Sequence, residues 1–90
     1  MKLNIKKDES KELEIEFETS DLTLPDLIAA ELGRNSDVAF AGVYKDHPEI
    51  GKPLLVLKTD KKKARDTLEK ALDDIEEQLE ELKDKIQKSK

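Results

Sequence analysis

Cysteine is absent from the 90-residue chain and histidine occurs once, at His47. Without thiols there are no disulfides or thiolate metal sites, and a single imidazole is too few for a histidine-based zinc site. No stretch approaches the roughly 18 consecutive apolar residues of a membrane span. Nor is Met1-Lys2-Leu3-Asn4 followed by a signal-type apolar run, so a cytoplasmic protein is expected. Gly33, Gly42 and Gly51 form no phosphate-binding pattern. His47 stands before Pro48 in a turn, beside Asp46 and Glu49, with no Ser or Cys nucleophile nearby and no second group placed by spacing for acid-base work. The sequence therefore predicts no catalytic residue, no cofactor and no metal. A net charge of -5 argues against whole-surface attraction to nucleic acid, which requires a basic face to release counterions.

Charged residues make up 43% of the chain and apolar ones 36%, but the apolar residues are mostly Leu, Ile and Val in periodic clusters, as in an ordered protein. A chain this short is marginal alone and gains from a partner. The abundance of charge with little Asn, Gln or Cys is a weak sign of heat adaptation.

Leu3 and Ile5 alternate with Lys2, Asn4 and Lys6, which predicts a short strand, and Lys7-Asp8-Glu9-Ser10 reads as a turn. Strict alternation from Glu12 to Glu18 predicts a second strand with Leu13, Ile15 and Phe17 on one side. Thr23 with Asp26 resembles a capping box, and Pro25 suits the first turn of the helix it would open. Leu24, Leu27, Ile28 and Leu32 give that helix an apolar stripe, and Gly33 is placed to end it. Val38 to Tyr44 is almost continuously apolar, as suits a central strand covered on both faces, or on one face plus a partner. A turn-rich connection from Asp46 to Pro53 leads to a fourth strand at Leu54-Leu55-Val56-Leu57.

From about Ala64 to Gln87 the period becomes helical, with Leu68, Leu72, Ile75, Leu79, Leu82 and Ile86 at alternating spacings of four and three, an a/d heptad seam. Burying these side chains is worth roughly 9 to 18 kcal/mol gross, at about 1.5 to 3 kcal/mol each. Such a helix is roughly 36 Å long against strands of about 20 Å, so part of the seam should overhang its own sheet. The reading is one α+β domain over residues 1–90, a two-layer four-stranded antiparallel sheet with helices on one face in the order ββαββα. Residues from Ala64 to about Ile75 should cover the sheet, leaving Leu79, Leu82 and Ile86 to a partner. Lys61, Lys62, Lys63 and Arg65 form the main basic cluster and oppose the helix dipole, which leaves a homodimeric nucleic-acid-binding module as the alternative.

Two stretches together resemble the alpha-like small subunits of DNA-directed RNA polymerase, the family of archaeal subunit L. One is Asp21 to Leu32; the other is Val38 to Tyr44 running into His47-Pro48, Gly51-Lys52-Pro53-Leu54 and Lys58-Thr59. The resemblance implies a noncatalytic assembly subunit that pairs with the larger alpha-like subunit, D, as the platform for the catalytic subunits, without direct nucleic-acid contact. It also implies an interface between the first and last helices of both partners. That nominates Leu24, Leu27, Ile28, Leu32, Leu72, Ile75, Leu79, Leu82 and Ile86.

Overall fold

The computed structural model describes residues 2–45 and 51–88. The His47 turn, with Asp46, Pro48, Glu49 and Ile50, lies outside the described residues. The elements run β1 (Leu3–Glu9), β2 (Glu12–Phe17), α1 (Thr23–Leu32), β3 (Val38–Tyr44), β4 (Leu54–Thr59) and α2 (Ala64–Lys88), which is the expected ββαββα order. The strands form one antiparallel sheet in the order β1-β2-β4-β3. Since β2 and β3 both run antiparallel to β4, they are parallel to each other, and α1 is the crossover between them with β4 inserted in the gap.

Cross-strand register explains which side chains meet. Leu13 pairs with Leu57 and Ile15 with Leu55, and all four are buried in a core they share with Phe17, Ile28 and Leu32. The alternating Glu14 pairs with Val56 on the opposite face. A period of two thus sends the apolar half of β2 to the helices and the glutamates away from them.

The segment Lys7 to Ser10, expected as a turn, continues β1 as far as Glu9, and the turn falls at Ser10 and Lys11. Its polarity belongs to an edge strand, where Lys7 Nζ reaches Glu12 Oε2 at 2.8 Å. Leu3 pairs with Phe17 and Ile5 with Ile15, so both share the helix face; a register shift between Ile5 and Lys7 then brings Asp8 opposite Leu13. From there the Asp8 carboxylate accepts a hydrogen bond from the Arg65 guanidinium at the start of α2.

The apolar run Val38–Tyr44 is an edge strand rather than a central one; β4 takes the centre. Its hydrophobicity is divided between two faces. Val38, Ala41 and Val43 pack on the core, while Phe40 and Tyr44 stack on the other face, ring centroids 6.3 Å apart and 25° between planes.

Helix α1 begins without the expected capping box. Thr23 is already helical, the N-cap is Leu22, and the Thr23 N–H donates to Asp21 Oδ1 at 2.9 Å. An Asx turn thus does the work assigned to Thr23 and Asp26. Gly33 ends the helix as expected, but in right-handed conformation (φ -64°, ψ -15°), its N–H donating to Ala29 O at 3.0 Å.

Hydrogen bonds fix the start of α2, and Ala71 with Leu68 and Ile75 carries its packing on the core further along. Ala64 N–H donates to Ser10 O at 2.8 Å, and Thr67 Oγ1 donates to Lys63 O at 3.0 Å. Ala64, Thr67 and Ala71 are its buried residues, and their small size lets the helix lie close to the sheet. The radius of gyration is 14.5 Å and the longest dimension 45 Å, whereas a compact domain of this length has a radius near 12 Å. The excess comes from the length of α2.

Candidate partner-binding face

Burial along α2 divides it in two. Up to Ile75 the helix alternates between buried, half-buried and exposed positions; from Glu76 to Lys88 every residue is exposed. Within that second half the seam continues, and Leu79, Leu82 and Ile86 keep 59%, 54% and 62% of their surface. At about 25 cal/mol per Å² of apolar area, three such side chains in water are a standing cost that a covering surface would relieve.

The nine nominated residues do not all share this face. Ile28 and Leu32, 4% and 0% exposed, lie in the chain's own core against β2 and β4 and retain almost no surface for a partner. Leu24 and Ile75 are half-buried against that core. Leu72, nominated as a partner contact although it falls in the stretch expected to cover the sheet, is 41% exposed, because the fully buried stripe of α2 is Ala64, Thr67 and Ala71, with Leu68 and Ile75 of the seam only half-buried beside it. The spacing of that stripe, three and then four residues, was present in the sequence but overshadowed by the bulkier leucines beside it.

Two grooves connect the exposed positions. One runs between α1 and the second half of α2, lined by Leu27, Ala30, Glu31 and Arg34 on one side and Ile75, Gln78, Leu79 and Leu82 on the other. Its rim carries an ion pair, Arg34 Nη1 to Glu31 Oε2 at 3.5 Å. The second is lined only by apolar side chains, among them Leu3 on β1, Leu24 on α1 and Leu68 and Leu72 on α2. Leu3 and Ile5 share the helix face of β1, yet neither helix covers them, and both are about half exposed. Sequence periodicity placed them on an apolar strand face without indicating that the helices stop short of it.

Apart from the pair of Glu31 and Arg34 on the first groove's rim, the ion pairs of Lys7, Lys52, Lys62 and Arg65 lie off both grooves. The Lys7 ammonium holds the Glu12 carboxyl below its ordinary value, and Lys52 does the same to Glu18, whose Oε1 it approaches at 2.9 Å. The backbone N–H of Thr23 holds Asp21 down likewise. Arg65 is raised by its bond to Asp8. In the basic cluster, Lys62 pairs with Asp37 at 3.7 Å and Arg65 with Asp8, so carboxylates already face two of its four cations. This weakens the cluster as a phosphate-binding patch.

Among the described residues no three His, Cys, Asp or Glu side chains are grouped to hold a metal, and no buried side-chain nitrogen or oxygen lacks a hydrogen-bond partner. No helix among them is long and apolar enough to cross a membrane. What the arrangement offers is an apolar surface of two helices and a sheet edge, a geometry suited to receiving helices from another chain.

Comparison with known proteins places the chain in a dimerisation-domain family. The model of the RNA polymerase Rpb3/Rpb11 dimerisation domain matches residues 12–85. DNA-directed RNA polymerase subunit Rpo11 of Saccharolobus solfataricus is 45% identical over 60 residues, 67% of this chain and 65% of the relative. The Rpo11 of Saccharolobus shibatae is 43% identical over the same length. The match thus spans 65% of these relatives' own length. The crystal structure of DNA-directed RNA polymerase subunit L from Thermoplasma acidophilum superposes with a TM-score of 0.86, covering 97% of this chain and 86% of that one at 23% identity. At that identity the likeness speaks for the fold alone.

Proposed function

The chain belongs to the RNA polymerase Rpb3/Rpb11 dimerisation domain family, and from that premise we propose that it is the smaller, Rpb11-type member of a heterodimer within an archaeal-type DNA-directed RNA polymerase. Its relatives carry the names Rpo11 and subunit L, and the same role is proposed for both. The partner is the larger alpha-like subunit, D in archaea, and the pair forms the platform on which the catalytic subunits assemble in the cytoplasm. Residues 1–90 act as one dimerisation domain. No reaction is assigned to the chain alone; it contributes to nucleotidyl transfer only as part of the polymerase complex.

The observation that carries this reading is the uncovered continuation of the α2 seam at Leu79, Leu82 and Ile86 beside the α1 groove. A partner helix laid there would cover Leu27 and these three residues together, and a neighbouring helix could reach Leu72 and Leu3. Covering such a cluster removes contiguous apolar area from water, which favours association at about 25 cal/mol per Å² before the costs of ordering. Leu24, Leu27, Leu72, Ile75, Leu79, Leu82 and Ile86 are therefore proposed as contact residues. Ile28 and Leu32 act from beneath by holding α1 in place.

Co-expression with the larger alpha-like subunit of the same polymerase, followed by size-exclusion chromatography and mass determination, tests the reading. A one-to-one complex is expected. Two subunits eluting separately, each correctly folded, would overturn it.

A further inference from the structure

The free half of α2 carries a charge pattern that the apolar seam does not require. In heptad terms Leu72, Leu79 and Ile86 occupy one seam position, and Ile75 and Leu82 the other. The residues following Ile75 and Leu82 are Glu76 and Lys83, which form one flank; those preceding Leu79 and Ile86 are Gln78 and Lys85, which form the other. All four are exposed, and neither Glu76 nor Lys83 makes an ion pair among the described residues. Along the first flank the sign therefore reverses, from acid near the sheet to base near the free end.

Flanking positions of this kind set partner choice and direction in paired helices. A helix of the same sequence running antiparallel presents the reversed order, Lys83 beside Glu76 and Glu76 beside Lys83. Leu79 of each copy then meets Leu82 of the other, with Ile75 and Ile86 at the two ends. A parallel copy would face Gln78 with Lys83 and gain no opposite-charge pair. The surface is thus complementary to itself in one direction only.

We infer that, without the larger subunit, the chain pairs with a second copy of itself through antiparallel α2 segments, with Leu79 packed on Leu82 and an ion pair between Glu76 and Lys83 at each end. The same apolar seam serves this pairing and the heterodimer, so the two exclude each other, and the larger subunit must displace the copy to enter the polymerase. Self-pairing keeps Leu79, Leu82 and Ile86 out of water while the chain is unassembled.

Sedimentation equilibrium of the full chain alone tests this, with Glu76→Lys, Lys83→Glu and the double variant. The unaltered chain should dimerise. Either single substitution sets like charges at both ends and should weaken dimerisation about tenfold; the double variant exchanges the signs and should restore it, which also shows that both substitutions are tolerated by the fold. A chain that stays monomeric up to its solubility limit would overturn the inference. So would a dimer indifferent to the single substitutions, or one that the double variant fails to restore. Because the larger subunit is not in the cell, this result is independent of whether the heterodimer forms.

Discussion

Leu27 of α1 and Leu79 of α2 line the same open groove, and each is about half exposed although the two helices are packed together beneath them. The α1 helix turns Ile28 and Leu32 inward and Leu27 outward, so the groove wall is built from the side of α1 that the core does not use. The fold and the proposed interface are therefore separable, and substitutions on one need not disturb the other.

Shortening the chain to end at Gln78 tests that separation. Every described residue removed is exposed, so at concentrations too low for the full chain to pair with itself, thermal unfolding of the shortened chain should differ from the full one by about 1 kcal/mol or less. Its binding to the larger alpha-like subunit should be lost, as read by size-exclusion chromatography.

The opposite pattern is expected at Leu32. It is 0% exposed and sits where α1 meets the core. Leu32→Ala should cost about 2 to 5 kcal/mol in urea unfolding, from lost transfer energy plus the cavity left behind. Any loss of partner binding should follow the loss of fold and be recovered at lower temperature or by a compensating stabilisation.

Much of this was legible in the sequence because it depends on periodicity. Alternation in β2 and the seam in α2 each have one physical reading, and both elements lie where expected. What was not legible depended on neighbours. The apolar run of β3 suits a central strand until β4, with Leu55 and Leu57 on one face and Val56 on the other, takes that place. Asp8 reads as a turn residue until a register shift sets it opposite Leu13 and within reach of Arg65, 57 positions along the chain. Among the candidate interface residues, periodicity identified the apolar stripe of α1. It did not show which of its members, Leu27 or Ile28, would face outward, since that depends on where α2 crosses.

The stacked pair on β3 makes a local prediction. A Cβ added at Gly42 would stand 2.9 Å from Cζ of Phe40, so the ring must move, and as the far end of an exposed side chain it can. Alanine in a strand is favoured over glycine by about 0.5 to 1 kcal/mol. Gly42→Ala should therefore leave stability unchanged or slightly raised while breaking the contact between Phe40 and Tyr44. Near-ultraviolet circular dichroism of the single tyrosine checks it.

Acid should weaken the fold through Glu18, Glu12 and Asp21, whose folded-state carboxyls lie below their ordinary values of 4.5 for Glu and 3.8 for Asp and so hold their charge longer than the unfolded chain does. A depressed folded-state value means that the stability from each is complete above the ordinary value and is lost as pH falls through the lower one. The melting temperature should thus be flat through neutral pH and decline below the ordinary carboxylate range. In Glu18→Gln, which removes the carboxylate facing Lys52, the decline should be shallower. An unaltered acid limb would show that the Lys52 contact does not persist in solution.

The central claim is that the overhanging seam of α2 is where the larger alpha-like subunit binds. Isothermal titration of that subunit with the unaltered chain and with Leu79→Glu measures it most directly, provided the melting temperature of each chain is recorded alongside. A glutamate at this exposed position should leave the isolated fold intact and weaken binding at least about thirtyfold, equivalent to roughly 2 kcal/mol at a buried interface centre. An affinity unchanged by Leu79→Glu, in a chain that melts where the original does, would contradict the account.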